Sequence, residues 1–326
     1  MKQVAIGIDI GGTNTIFGIV DKNGGFISRG SIKTETHPDY TIYMSALCQS
    51  IDEMINNSEG DFEVVGIGVG APNGNYYNGT IEFAPNLNFK GVVPVVDFIK
   101  GKFDFDVVVL TNDANAAAMG EMIYGGAKGM RDFIMITLGT GVGSGIVVNG
   151  EMVYGHDGFA GELGHVIAIP EGRKCGCGRK GCLETYTSAN GIKRTVFELL
   201  ANTIEHSELR NIGYNGLSSK MIDEAAKRGD IIAKEAFDYT GKILGEKLAD
   251  AVAHTSPEAI FLFGGLAQAG DLIFEPTKKY MEQALLNIYR DKVKLLPSQL
   301  PPGDAAILGA SALVWKELQR QEMSKK

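Results

Sequence analysis

QVAIGIDIGGTNTIFGIV, residues 3–20, is the stretch that decides the fold. Residues 3–10 alternate and are rich in β-branched side chains, which predicts a strand; Gly11-Gly12-Thr13-Asn14 turns the chain, and residues 15–20 read as a second strand. Backbone N–H groups freed in so small a turn can cradle a phosphate, and Asp9 at the strand end can hold a magnesium ion through water. Taken alone, the turn is equally an ordinary hairpin loop. The pattern recurs in FIMITLGTGVGSGIVVNG, residues 133–150, where a strand ends in Gly139-Thr140-Gly141 and residues 144–148 return. One device used twice, each time followed by further strand and helix signals, predicts duplicated α/β domains with a nucleotide held between phosphate loops from both.

Between the hairpins, Ile42, Ala46, Leu47, Ile51, Met54 and Ile55 keep helical spacing over residues 39–57 and predict a core-packing helix. A buried strand at 64–69 leads into Gly70-Ala71-Pro72 and then a polar, irregular loop over residues 73–91. Asn86 and Asn88 in that loop either bond hydroxyls of a ligand or cap turns. A second buried strand at 107–110 runs into Asn112-Asp113-Ala114-Asn115 and a helix at 116–124. Asp113 therefore sits at a strand-to-helix junction, where α/β sheets place their ligands and where a helix N-terminus keeps a carboxylate ionised. The alternative is a helix N-cap and nothing more.

GELGHVIAIPEGRKCGCGRKGCLE, residues 161–184, concentrates the most specific chemistry. His165, Cys175, Cys177 and Cys182 offer one imidazole and three thiolates with metal-ligand spacing, a closed set that suits structural zinc and leaves no open position for substrate. Plain reduced cysteines, or a disulfide between two of them, are the alternatives. Glu162 and Glu184 flank the set, so a metal here would lock two distant acids into one frame. Beyond it, residues 186–254 read as helices with breaks near 211–216 and 229–230, and residues 259–263 form a last strong strand. Gly264-Gly265 after that strand either admit a flat ring such as adenine or make a plain strand-to-helix turn. Helices are expected at 274–288 and 305–320, the last packing back on the first domain.

The chain has 326 residues, 44% of them hydrophobic, which is enough for a large core in two domains. A net charge of −8, from 31 basic and 39 acidic residues, argues against a nucleic-acid surface. The apolar run at the N-terminus breaks at Asp9 and the glycines, so neither a signal peptide nor a membrane span is expected. Of four cysteines, Cys48 stands apart in an apolar stretch and reads as a core residue, usage that fits a reducing, cytoplasmic compartment.

DIGGTN at 9–14, NDANAAAMGE at 112–121, LGTGVGSG at 138–145, GELGH at 161–165, CGCGRKGCLE at 175–184 and FGGL at 263–266 together resemble the ROK family (repressor, open reading frame, kinase) over nearly the whole chain. The resemblance implies an α/β, two-domain actin-like ATPase (ribonuclease H-like) fold of the sugar-kinase type. It implies a smaller domain from 1–112 plus 305–326 and a larger one, carrying the zinc knuckle, from 113–304. In the family's kinases the aspartate matching Asp113 is the general base, and residues matching Asn112, Glu162, His165 and Glu184 hold sugar hydroxyls, with Asp113 itself against the sugar. His165 would then serve zinc and sugar together. Asp9, Gly11, Gly12, Thr13 and Asn14, with Gly139, Thr140 and Gly141, match the phosphate loops for ATP and Mg2+, and Gly264-Gly265 match the adenosine segment.

Asn14 stands where many members carry lysine, and Asn73 where a glycine is usual. The stretch APNLNF at 84–89 is similar to one that in bacterial glucokinases places an asparagine, here Asn86, on the sugar. The expectation is an ATP-dependent kinase of the glucose 6-hydroxyl, a homodimer acting on a small-molecule sugar, with no nucleic-acid or membrane partner. Another hexose (N-acetylglucosamine, N-acetylmannosamine, fructose or allose) is the alternative. A sugar-sensing regulator of the family would carry a winged helix-turn-helix before the first hairpin, where the sequence leaves no room for one.

Overall fold

The expected hairpin forms as β1 (Lys2–Ile10) and β2 (Asn14–Asp21), and β3 (Phe26–Lys33) widens it. The computed structural model describes residues 1–37 and 39–325. In chain order there follow α1 (Tyr40–Asn57), β4 (Phe62–Ala71), β5 (Gly74–Asn75), β6 (Thr80–Glu82), β7 (Val92–Val93), α2 (Val95–Lys100), β8 (Val107–Asn112) and α3 (Asp113–Ile123). Next come β9 (Phe133–Leu138), β10 (Val142–Val148), β11 (Glu151–Met152), α4 (Glu184–Thr187), α5 (Ala189–Asn202), α6 (Ser219–Arg228) and α7 (Ile231–Thr255). The chain ends with β12 (Ala259–Phe263), α8 (Asp271–Ala284), β13 (Lys294–Pro297) and α9 (Ala305–Ser324).

The chain groups into two compact units. The first comprises Met1–Met130, Met152–Ala160 and the chain from Gln299 onward; the second comprises Arg131–Glu151 and Gly161–Ser298. The first unit's main sheet has the order β3-β2-β1-β4-β8, and the second unit's has β11-β10-β9-β12-β13. Renumbered within each of these two sheets, both read third, second, first, fourth, fifth. In both, the first two strands pair antiparallel and the first, fourth and fifth run parallel. The repeated hairpin is therefore the start of a repeated sheet.

The period of two along β1 sorts its side chains. Val4, Ile6, Ile8 and Ile10 bury against Tyr43, Met44, Leu47 and Ile51 of α1, whose N-terminus is capped by the Asp39 carboxylate, which accepts from Thr41 and Ile42 N–H. Gly7 faces α9 instead, where a Cβ would stand 2.9 Å from the Ser311 nitrogen. Only a strand without side chains at this point lets a helix backbone come so close.

The expected domain boundary before Asp113 departs from this grouping, because α3 lies in the first unit. Gly120 of α3 faces Gly309 of α9, where a Cβ would meet the Gly309 Cα at 2.9 Å. The Glu121 carboxylate adds to the tie by accepting from Gln299 N–H at 2.9 Å. Residues 152–160 also join the first unit: Tyr154 stacks on Tyr76 with ring centroids 3.9 Å apart, and Asn75 Nδ2 donates to the Asp157 carbonyl at 2.9 Å. The loop at 73–91 is not wholly irregular, since it carries β5 and β6, which form a small sheet with β7 just beyond it. Asn73 there has φ of 52° and its amide donates to the Glu82 carbonyl, so a left-handed position is filled by the non-glycine residue that tolerates it well.

Candidate active site

In the first unit the sheet brings the carboxyl ends of β1, β4 and β8 together, and Asp9 and Asp113 come with them. Gly70 of β4 separates the two: a Cβ there would lie 3.7 Å from the Asp113 Cα and 3.9 Å from Asp9 Oδ1. Burial, reinforced by the Asp113 charge, raises the Asp9 carboxyl to about 7. Asp113 is raised too, by loss of hydration, against a lowering hydrogen bond from Ala114 N–H. Its surface is nevertheless exposed, and the water that reaches it limits the rise. Helix α3 starts three residues before the expected 116, and its N-cap is Asn112, whose Oδ1 accepts from Ala114 N–H at 2.9 Å. Capping therefore does not explain Asp113, which is the first residue of the helix proper.

The first turn lies against a loop far away in sequence. A Cβ on Gly12 would be 2.5 Å from the Asn86 carbonyl oxygen, and the Thr13 carbonyl accepts from Thr34 and Glu35 N–H. Asn88 Nδ2 donates to the Glu35 carbonyl at 2.7 Å, so Asn88 holds this wall while the Asn86 side chain stays exposed. Gly11 N–H bonds the Asn14 carbonyl, whereas the N–H groups of Gly12 and Thr13 have no acceptor among the described residues. Two donors at the end of β1 are thereby left for a ligand. Asn14 is paired across the ribbon with Lys33.

In the second unit, one ligand atom from each of His165, Cys175, Cys177 and Cys182 lies within 4.8 Å of all the others. Cys177 and Cys182 Sγ are 3.7 Å apart, too far for a disulfide and close to the edge of a tetrahedron with metal–sulfur bonds of about 2.3 Å. His165 presents Nδ1, 3.7 Å from Cys175 Sγ. Loss of hydration pushes the Cys177 thiol up, but hydrogen bonds from the Arg179 N–H and guanidinium, with Cys175 and Cys182 beside it, bring it down to about 6, while Cys175 and Cys182 are themselves pushed up by loss of hydration. The donor set, soft sulfur plus imidazole in a closed group of four, fits zinc.

Glu184, at the start of α4, joins this cluster to the second turn. Its Oε1 accepts from Cys175 Sγ at 2.9 Å and lies 3.9 Å from His165 Nδ1, and its Oε2 would be 2.7 Å from a Cβ on Gly141. The second turn is tighter than the first, since Gly139 N–H bonds the carbonyl of Gly141, two residues on, but it too leaves N–H groups, those of Thr140 and Gly141, with no acceptor among the described residues. Glu162 is exposed and enters the 3-10 turn Leu163–His165, which Ser144 braces through the Gly161 carbonyl and Leu163 N–H. Gly264 has φ of 104° and its Cβ position is 2.6 Å from the Leu138 carbonyl oxygen, so that glycine is demanded by the chain itself. A Cβ on Gly265 would meet nothing within 4 Å among the described residues.

Ser144 reads in sequence only as a strand residue of the second hairpin, and Asn190 belongs to no motif. Asn190 Nδ2 donates to the Thr140 carbonyl at 3.2 Å from the first turn of α5, and the only signal was a polar residue just past the cysteine motif.

Residues 5–317 match the ROK family. The chain is 34% identical over 316 residues to a glucokinase of Streptomyces coelicolor, which covers 95% of this chain and 97% of that protein. It is 28% identical to a xylose repressor of Bacillus spizizenii over 95% of this chain and 76% of the repressor. Among solved structures, a ROK family glucokinase from Streptomyces griseus in complex with glucose and AMPPNP superposes with a TM-score of 0.79 at 32% identity, covering 96% and 99% of the two chains. The fold is the actin-like ATPase fold that ROK sugar kinases have. By its match over nearly its whole length, its shared fold and its glucokinase relatives, this chain is a member of the ROK family.

Proposed function

We propose that the protein is an ATP-dependent sugar kinase that transfers the γ-phosphate to the 6-hydroxyl of glucose. The observation that carries the reading is the pairing of Asp113 with Asp9 at the carboxyl ends of the first sheet, beside a turn whose Gly12 and Thr13 N–H groups have no acceptor among the described residues. A carboxylate with a raised pKa and a solvent-open face is a general base. The glucokinase relatives support the kinase class and glucose among the hexoses.

In this reading the sugar hydroxyl attacks the γ-phosphorus, the bond to the β,γ-bridging oxygen breaks, and Asp113 takes the hydroxyl proton. The N–H groups of Gly12 and Thr13, and of Thr140 and Gly141, donate to phosphate oxygens, with Gly11, Gly139 and Asn14 shaping the two turns. Asn86, Asn112, Glu162, Glu184 and the outer face of His165 hold the sugar hydroxyls. Gly265 lies open to the adenine, while Gly264 lets the chain pass. Asp9 is the residue that would hold Mg2+, since a hard carboxylate beside a second negative charge favours a cation, and the ion would neutralise the phosphates. Zinc on His165, Cys175, Cys177 and Cys182 would supply rigidity and no chemistry.

The test is ADP release across a panel of glucose, N-acetylglucosamine, N-acetylmannosamine, fructose and allose. The highest kcat/KM on glucose is expected, because a sugar lacking one bonded hydroxyl leaves a buried polar partner unmet. A better hexose would overturn the substrate and keep the kinase; sugar binding without ADP release would favour the regulator class to which the xylose repressor belongs.

A further inference from the structure

We propose that Arg173, a residue that touches neither sugar nor metal, sets the sugar affinity of the second unit by fixing the segment that carries Glu184. The inference rests on the reading of Glu184 as a sugar ligand. Arg173 is 8% exposed, although a buried arginine is rare unless paired. Its guanidinium has five N–H donors, and all five are used. Nε and Nη2 grip the two oxygens of Glu198 at 2.8 and 2.5 Å, Nη2 also donates to Thr195 Oγ1 at 2.9 Å, and Nη1 donates to the carbonyls of Thr185 and Gly191 at 2.8 and 3.1 Å.

The backbone of the same residue serves the cysteine loop. The Arg173 carbonyl accepts from Gly181 N–H at 2.8 Å, next to Cys182, and its N–H donates to Tyr186 Oη at 2.9 Å. The guanidinium lies 4.4 Å from the centre of the Tyr186 ring. Arg173 thus ties the loop two residues before Cys175 to residues 185 and 186, directly after Glu184, and to α5 beyond them. A bond from Thr185 Oγ1 to the Cys182 carbonyl at 2.7 Å closes the ring. Glu184 is then located twice, by the metal ligands on one side of it and by Arg173 on the other. A simple fold-stabilising ion pair needs neither the two carbonyl contacts nor the stacking, because Glu198 alone would satisfy the charge.

The decisive variant is Arg173→Lys, which keeps the charge but cannot reproduce the planar five-donor fork. The expected result is a KM for glucose raised about tenfold, the scale on which groups supporting a ligand set act, with zinc content, kcat and the KM for ATP within about twofold of the parent. Thr195→Val removes one of the five contacts without changing volume, so it reports even if the lysine variant does not fold, with a smaller rise in the same constant expected. A folded, zinc-loaded variant whose glucose KM equals the parent's overturns the proposal, as does a parallel loss in kcat and both KM values. In a Glu184→Gln background the Arg173→Lys effect should vanish. If Glu184→Gln alone leaves the glucose KM unmoved, the sugar role of Glu184 falls and this inference with it; if Glu184→Gln raises it and Arg173→Lys does not, only this inference falls.

Discussion

Asp113 of the first unit and Glu184 of the second are both carboxylates at the first position of a helix, yet they are held in opposite ways. Asp113 has a backbone contact to Ala114 N–H, a like charge nearby in Asp9, and an exposed face. Glu184 is partly buried between Cys175, His165 and the second turn. The contrast separates two duties. In the proposed reading, the group that gains and loses a proton is left with few partners and a loss of hydration that raises its pKa, whereas the group that only stays in place is fastened by its neighbours.

The sharpest way to break this comparison is Asp113→Asn. Turnover should fall by about a hundredfold or more with the sugar KM little changed, since the amide keeps the shape but accepts no proton. Steady-state ADP release decides, and turnover within a few-fold of the parent removes Asp113 from its role. On the other side, Cys177→Ser should lower zinc content and raise the sugar KM by about tenfold to a hundredfold, with the ATP KM changing less. Metal analysis beside kinetics reads both. A folded variant that has lost zinc and binds sugar as before would show that the cluster is remote from the sugar, and the contrast would collapse.

What could be read from sequence follows from how local the determinants are. The two hairpins, the cysteine spacing and the strand before Asp113 are written in consecutive residues, and each forms where expected. The placement of α3 was not legible in this way, because it depends on Gly120 meeting Gly309 across 189 positions of chain. The wall of the first turn is equally non-local: Gly12 meets Asn86, and Asn88 reaches Glu35, pairings that no spacing announces. Nothing in the sequence singles out Arg173, whose burial and five hydrogen bonds depend on residues up to 25 positions away. A cluster of rare chemistry such as His165, Cys175, Cys177 and Cys182 is legible in sequence, whereas residues whose role is contact are not.

A milder test compares the turns themselves. Gly12→Ala puts a Cβ against the Asn86 backbone at 2.5 Å, whereas the Cβ position on Gly139 has nothing within 4 Å among the described residues. Gly12→Ala should therefore lower the Tm, by the shift about 1–3 kcal/mol of overpacking produces, and Gly139→Ala should not. Gly139→Ala should instead raise the KM for ATP if phosphate approaches that backbone. Calorimetry and ATP titration on both variants separate a glycine kept for packing from one kept for a ligand; equal Tm losses would mean that the two turns are walled alike.

The smallest effect tests the electrostatics of the first unit by pH. Asp9 titrates near 7 in the folded protein and near 3.8 when unfolded, so between those values the folded state holds more protons. Stability from this group is present at low pH and is lost as pH rises through that window. Asp9→Asn removes the titration, so the variant's Tm should match the parent's most closely at pH 5 and exceed it most at pH 8. A domain of this size moves by about 2–4 °C per kcal/mol, which scanning calorimetry resolves. The Asp113 charge supplies part of the rise, so the gap should shrink in an Asp113→Asn background. Magnesium at pH 8 should narrow it by stabilising the parent alone, because an ion bound to the folded state adds stability by mass action. A gap that is flat from pH 5 to 8 would mean that Asp9 is well hydrated and ordinary, and the pairing on which the general-base reading rests would lose its electrostatic half.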